Sequence, residues 1–294
     1  MALTGLFLRG SLAFTMKETF RSGIKDFQNE VLSFYRKHGR RFPWRETNDP
    51  YAVLVSEFML QQTQTERVVG KYVQWLKTFP SIQELAASPF TKVLEQWVGL
   101  GYNRRARFLH EASKTIALKH GGLVPSEPSV LQTLSGVGAY TAAAVAAFAY
   151  NKPTVFIETN IRALFIHFFF SERTDVSDKE IFPLVEAALY TQNPRIWYYA
   201  LMDYGAALKK RIANPNRKSR SYAKQSKFEG SVRQVRGALL RSLTGKNAQT
   251  YTELALYAGS SPDLFDKALS ALIREGFVAE KGGKYVIDST DGRE

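Results

Sequence analysis

From Tyr51 to Tyr150 the chain is punctuated at Pro80, Pro89, Gly99, Gly101, Gly121, Gly122, Pro125, Gly136 and Gly138. Short apolar patterns of helical spacing lie between these breaks, with almost no strand-like alternation. That rhythm predicts an all-α bundle of short helices packed on one another. Upstream, residues 16–38 read as an amphipathic helix whose stripe is Ile24, Phe27, Val31, Phe34 and Tyr35, and RRFPWRETNDPY (40–51) reads as a loop. A further helical set is expected from about 159 to 212. Residues 1–15 are expected to be a disordered extension, not a signal peptide, because Arg9 interrupts the apolar run and no basic segment precedes it.

The pattern then changes abruptly. Lys209, Lys210, Arg211, Arg217, Lys218, Arg220, Lys224 and Lys227 fall in one stretch without an acid, which predicts an extended basic arm over 209–227. Residues 228–294 show three helical patterns, around VRQVRGALLRSL, YTELALYAG and PDLFDKALSALIREG. Two β-rich runs then flank Gly282 and Gly283, a hairpin signal. Three helices followed by a hairpin predict a winged-helix-like module, with its third helix as the reader.

Across 294 residues, 40 Lys and Arg stand against 27 Asp and Glu, so 40 − 27 leaves a formal charge of +13. With no apolar run of membrane-spanning length, that excess predicts a polyanionic partner, most simply nucleic acid, held through phosphate contacts. The absence of cysteine excludes disulfides, thiolate zinc sites, cysteine-held iron–sulfur clusters and a cysteine nucleophile. Four scattered histidines leave little for any other metal site. The expectations are no cofactor, no metal, no membrane association, a monomer, and a cytoplasmic, nucleoid-associated location.

Four segments carry chemistry. In LQTLSGVGAYTAAAVAAFAY (131–150), Gly136, Val137 and Gly138 form a turn opening onto a helix of small residues, where backbone N–H groups can hold a phosphate; equally, the glycines can simply connect helices. In PYAVLVSEFMLQQTQTERVVGKY (50–72), Glu57 lies within an apolar run. Enclosure favours the neutral carboxyl, so Glu57 is either a general acid or a structural hydrogen-bond acceptor. In LEQWVGLGYNRRARFLHEASK (94–114), Tyr102 stands beside Arg104, Arg105 and Arg107. The tyrosine can enter a base stack while the arginines hold phosphates, or it can pack under the turn while they form a solvated face. In TVFIETNIRALFIHFFF (154–170), Glu158 precedes Asn160 and Arg162, and by itself it reads equally as a helix N-terminal carboxylate paired with Arg162 at i+4.

Taken together, PWRETNDPYAVLVSEFMLQQTQ, VGLGYNRRAR, LSGVGAYTA, the IETNIR stretch and ALMDYGA resemble, in order and spacing over 43–206, the helix-hairpin-helix (HhH-GPD) base-excision DNA glycosylases, in the MutY-like adenine glycosylase branch. The resemblance implies an all-α fold of two helical subdomains, one from about 45–152 and the other from 16–44 with 153–208, followed by the basic arm and the winged-helix-like module. It implies that Glu57 protonates the leaving base and that Glu158 takes the place of the family aspartate, with Asn160 matching the family asparagine. Tyr140 stands where lyase-competent relatives carry lysine, which implies a monofunctional enzyme without a Schiff base. Gln62 and Tyr102 look like the residues that fill or probe the stack. Arg104, Arg105, the Gly136–Val137–Gly138 turn and the arm residues Arg217, Lys218 and Arg220 are the expected phosphate contacts, and Trp44, Arg45, Leu60 and Tyr199 the expected base pocket.

Some features depart from the family pattern: the glutamate at 158, the missing four-cysteine cluster after ALMDYGA, the winged-helix-like segment in place of the domain that reads 8-oxoguanine, and Tyr199 where adenine-specific relatives tend to carry Gln or Glu. The expected function is a monofunctional glycosylase acting on double-stranded DNA with a mispaired or damaged base, releasing adenine opposite guanine or 8-oxoguanine. The alternatives are a thymine or uracil glycosylase on G:T or G:U pairs and a non-catalytic DNA-binding protein.

Overall fold

The computed structural model describes residues 22–224, 227–244 and 248–288. The extension expected over 1–15 and the start of the first helix lie outside them. The described chain is helical apart from one small sheet, and it divides into two units. One comprises the chain up to Arg41 with Ala146–Ala223, the other Phe42–Val145 with the chain from Lys224 onward.

The second unit begins with a 3-10 turn (Pro43–Arg45), followed by α2 (Pro50–Leu60), α3 (Thr65–Thr78), α4 (Ile82–Ala87), α5 (Phe90–Trp97), α6 (Arg104–Lys119), α7 (Pro128–Leu131) and α8 (Ala139–Tyr150); α1 is the helix over 22–38 of the first unit. α2 starts where the sequence demands a cap. Asp49 accepts from the backbone N–H groups of Tyr51 and Ala52, and Pro50 supplies a preset φ at the first helical position. Every residue of α2 from Tyr51 to Met59 is buried. Its apolar sequence is therefore explained by enclosure on all sides. Tyr51 is tied at both ends of its hydroxyl, donating to the Phe79 carbonyl at 2.8 Å and accepting from Trp75 Nε1 at 3.2 Å.

The C-terminal segment forms α12 (Val232–Thr244), β1 (Gln249–Thr250), α13 (Tyr251–Ala258), α14 (Pro262–Arg274), β2 (Val278–Lys281) and β3 (Lys284–Ile287). The antiparallel sheet has the order β1-β3-β2, with Gln249 opposite Tyr285 and Val278 opposite Ile287, and the hairpin turns at Gly282–Gly283. This is the helix–strand–helix–helix–hairpin order of a winged helix. The two-residue strand β1 escapes a sequence pattern because it is too short to alternate. The module belongs to the same unit as α2–α7.

The first unit holds α1, α9 (Thr159–Phe169), α10 (Asp178–Ala187), α11 (Pro194–Arg211) and a 3-10 turn (Pro215–Lys218). α11 packs along α9. A Cβ at Gly205 would lie 2.1 Å from the Asn160 carbonyl oxygen, so this approach requires glycine there. Phe27 sits in an aromatic cluster with Phe165, Phe168, Phe169 and Trp197. Asp203, almost wholly buried, accepts from Arg40 N at 2.7 Å and Nε at 2.8 Å, which holds the chain just after α1 onto α11.

The extended arm expected over 209–227 is corrected by this packing. Lys209, Lys210 and Arg211 continue α11. Pro215 and Asn216 are buried, with Asn216 Nδ2 donating to the Thr159 carbonyl at 2.9 Å, and a parallel bridge joins Val176 to Ser219. A cation-rich segment with prolines and serines reads as solvated loop, but the buried Pro215, Asn216 and Ser219, the Asn216 side chain and two backbone hydrogen bonds to Val176 suffice to pin it.

Candidate active site

Glu158 is positioned by the start of α9. As N-cap its backbone is extended (φ −113°, ψ 164°), and its carboxylate accepts from the Asn160 backbone N–H at 2.6 Å and from Asn160 Nδ2 at 2.9 Å. The residue is half-buried. Desolvation therefore raises its pKa, and the Asn160 backbone, the Lys209 charge, the Asn160 side chain and the Ile161 N–H oppose that rise. Lys209 in the last turn of α11 is itself desolvated, which lowers its pKa against the pull of Glu158. The i+4 pairing of Glu158 with Arg162 is not formed. Arg162 instead grips Asp178 with Nε at 2.6 Å and Nη2 at 2.7 Å.

Glu57, on the fully enclosed helix α2, is only 5% exposed. The helix that presents it ends at Gln61, followed by Gln62 in the left-handed region (φ 53°). Tyr102, 38% exposed, has the same rare backbone conformation (φ 49°). Two non-glycine residues at positive φ in one unit, both expected from the sequence to fill or probe the stack, need an anchor.

Arg105 supplies it, and its assignment as a phosphate contact is corrected. Its guanidinium is buried. Nη1 donates to the carbonyls of Phe58, Met59 and Gln61 at 2.7, 2.9 and 2.6 Å, Nη2 to Thr63 Oγ1 and the Gly101 carbonyl at 3.0 Å each, and Nε to the Tyr102 carbonyl at 3.4 Å. All its donor groups are engaged by the orphan carbonyls at the end of α2 and by the turn carrying Tyr102. Burial lowers its pKa to about 10, so it stays charged at neutral pH. Arg104 is exposed and lies 3.6 Å from Glu275. Arg107 lies over the rings of Phe90 and Phe277 and donates to the Glu275 carbonyl at 2.8 Å, so it docks the C-terminal module.

At the glycine turn, Gly136 has φ 72° and a Cβ there would meet Phe108 Cβ at 2.5 Å, so this residue is required by both conformation and packing. Val137 is buried, whereas Gly138 is exposed and open on its Cα side. Tyr140 is half-buried in the first turn of α8, and Gln61 Nε2 donates to Thr141 Oγ1 at 3.2 Å. Among the expected pocket residues, Trp44 is buried, stacked on Phe42 at 4.9 Å and edge-on to Tyr72. Arg45 lies 5.2 Å over the Phe42 ring, Leu60 is half-buried, and Tyr199 is buried with its ring stacked 4.8 Å from Phe148. In the arm, Arg220 pairs with Asp175 at 2.7 Å, Lys218 Nζ donates to the Ser171 carbonyl, and Arg217 is exposed.

The region after α11 does not fit an iron–sulfur cluster. The chain has no thiolate to ligate one, and the packed turn at Pro215–Lys218 lies directly against α9. Among the described residues no group of three or more His, Asp and Glu side chains could hold a metal ion, and no helix is long and apolar enough to cross a membrane.

The family model of the HhH-GPD superfamily base excision DNA repair proteins matches residues 55–186. An adenine DNA glycosylase of Mycobacterium tuberculosis is 44% identical over 133 residues, covering 45% of this chain and 44% of that protein, so the chain matches less than half of that relative's length. An adenine DNA glycosylase of Mycolicibacterium smegmatis is 32% identical over 277 residues, covering 88% of this chain and 94% of that protein. The solved structure of a thermostable thymine-DNA glycosylase aligns with a TM-score of 0.57 at 26% identity, over 63% of this chain and 87% of that one. The helical fold, the glycine turn and a relative matched along nearly its whole length together establish that the chain belongs to the HhH-GPD superfamily of base excision DNA repair proteins.

Proposed function

We propose that the chain is a monofunctional DNA glycosylase that releases adenine paired with guanine or 8-oxoguanine in double-stranded DNA. The observation that carries this reading is Glu158, a half-buried carboxyl group fixed by two donors of Asn160 and subject to the charge of Lys209. Cleavage of an N-glycosidic bond develops positive charge on the sugar, and a carboxylate held without rotational freedom stabilises that charge at no cost of reorganisation. Glu57 is the acid. Adenine departs as a neutral base only if its ring is protonated, and Glu57, 5% exposed on α2, is the carboxyl group this reading assigns to deliver that proton. With tyrosine at 140 no amine at that position forms a Schiff base, so water completes the reaction and the strand stays intact.

Double-stranded DNA is the partner this reading requires, and the base must leave the stack before the acid reaches it. The exposed Gly138 at the start of α8 and the exposed Arg217 support backbone contacts, and Tyr102 and Gln62, both at positive φ, support insertion into the stack. The relatives' name, adenine DNA glycosylase, favours adenine over thymine. The test is a panel of duplexes with A:8-oxoG, A:G, T:G or U:G, each treated with alkali after incubation. Cleavage at adenine only after alkali supports the reading, release of only the pyrimidine transfers the activity to mismatched thymine or uracil, and release of no base removes the enzyme.

A further inference from the structure

The C-terminal module, which the sequence offers as a DNA reader, presents a poor reading helix. The charged residues of α14 are Asp263, Asp266, Lys267 and Arg274, two acids and two bases, and Asp266 accepts a hydrogen bond from Tyr251 at 2.7 Å. A helix meant for a phosphate-lined groove carries a clear cationic excess. The module packs instead through α12 on α5, and two arginines of α6 reach it. Within the module Arg236 grips both oxygens of Glu275 at 2.7 Å; from α6 Arg104 approaches the same carboxylate, and Arg107, over the rings of Phe90 and Phe277, donates to the Glu275 carbonyl.

From this docked position α12 places Arg233 on Tyr102. Arg233 Nη1 donates to the Tyr102 hydroxyl at 3.0 Å, and its guanidinium carbon lies 6.0 Å from the ring centroid. The Arg105 guanidinium carbon is 5.4 Å from the same centroid, and Arg105 also holds the Tyr102 and Gly101 carbonyls. The exposed ring is thus fixed by Arg105 at its base and by Arg233 at its tip. Immobilising a mobile side chain during binding costs affinity, and a ring ordered beforehand avoids that cost.

We propose that Arg233 is a positioning residue for Tyr102, through which the C-terminal module presets insertion of the ring into the base stack. The inference rests on the glycosylase reading for its catalytic consequence. Its structural core, the ordering of the ring, is measurable without chemistry.

The experiment uses the full chain as wild type, Arg233→Ala, Arg233→Lys, Tyr102→Phe and the Arg233→Ala/Tyr102→Phe pair, each with its thermal melt recorded. One readout is the fluorescence rise of 2-aminopurine placed in the target strand of a saturated duplex, which reports unstacking. The other is single-turnover release of adenine from an A:8-oxoG duplex. Arg233→Ala lowers both by about fivefold, Arg233→Lys restores most of the loss, and the double variant is no worse than Tyr102→Phe, because the hydroxyl and the guanidinium form one interaction. The salt dependence of binding stays that of the wild type. Additive losses, a salt slope reduced by about one, or unchanged fluorescence in Arg233→Ala overturns the proposal, the first two by making Arg233 a phosphate contact. Release of no base by the wild type with the expected fluorescence pattern overturns the glycosylase reading and leaves the positioning role standing.

Discussion

The carboxylate of Glu158 and the amide of Asn160 form one unit. The backbone N–H of Asn160 meets one oxygen at 2.6 Å and its side chain meets the other at 2.9 Å, so the residue that caps α9 is the residue proposed to face the sugar. Glu158→Asp keeps the charge and the capping chemistry and retains measurable excision. Glu158→Ala loses on the order of a hundredfold or more in single-turnover rate. An unchanged rate in the alanine variant removes Glu158 from the reaction.

That same carboxylate sets a pH dependence. Burial raises its pKa, so the folded state binds more protons than the unfolded chain between the ordinary carboxylate value and the raised one. Stability from this group is therefore present at low pH and declines as pH rises through that window, while excision, which needs the anion, rises across it. Lys209→Met removes a charge that lowers the Glu158 pKa, so the acid limb of the rate profile moves to higher pH. A limb at the wild-type position in Lys209→Met separates the two residues.

Gly205→Ala tests the seating of α9 on α11. The added methyl would fall 2.1 Å from the Asn160 carbonyl oxygen, so the helices must part at the point where Glu158 is held. The expected cost is about 1–3 kcal/mol in denaturant unfolding, with excision reduced beyond what the lost folded fraction explains. A variant of wild-type stability contradicts the packing.

Arg105→Ala leaves several buried carbonyls at the end of α2 without donors and costs about 3 kcal/mol. Arg105→Lys recovers only part of this, because an ammonium has three donors and no fork. Loss of DNA affinity without loss of thermal stability contradicts the structural role. In the arm, by contrast, Arg217→Ala lowers the salt slope of binding by about one, and Arg220→Ala, which gives up its pairing with Asp175, lowers it less.

Much of this was legible in the sequence, for identifiable reasons. Prolines and glycines mark helix ends directly, so the all-α architecture and the C-terminal helices and hairpin follow from local chemistry. Glu57, Glu158, Tyr102 and the glycine turn stand out because a carboxyl in an apolar run or a positive-φ turn leaves a local trace. Partners distant in sequence leave none. Arg105 looks like its neighbours Arg104 and Arg107, yet the guanidiniums of Arg105, Arg104 and Arg107 end respectively on backbone carbonyls, on Glu275 and over two aromatic rings. Arg162 has Glu158 four residues before it and chooses Asp178. The contact of Arg233 with Tyr102 joins residues 131 positions apart, and nothing local in either announces it.

The most direct measurement compares wild type with Glu57→Gln in single-turnover release of adenine from an A:8-oxoG duplex, with binding to the same duplex followed in parallel. The account predicts that the wild type leaves an alkali-labile site at the adenine and that Glu57→Gln binds as tightly and releases nothing. Equal release by the two proteins would contradict it.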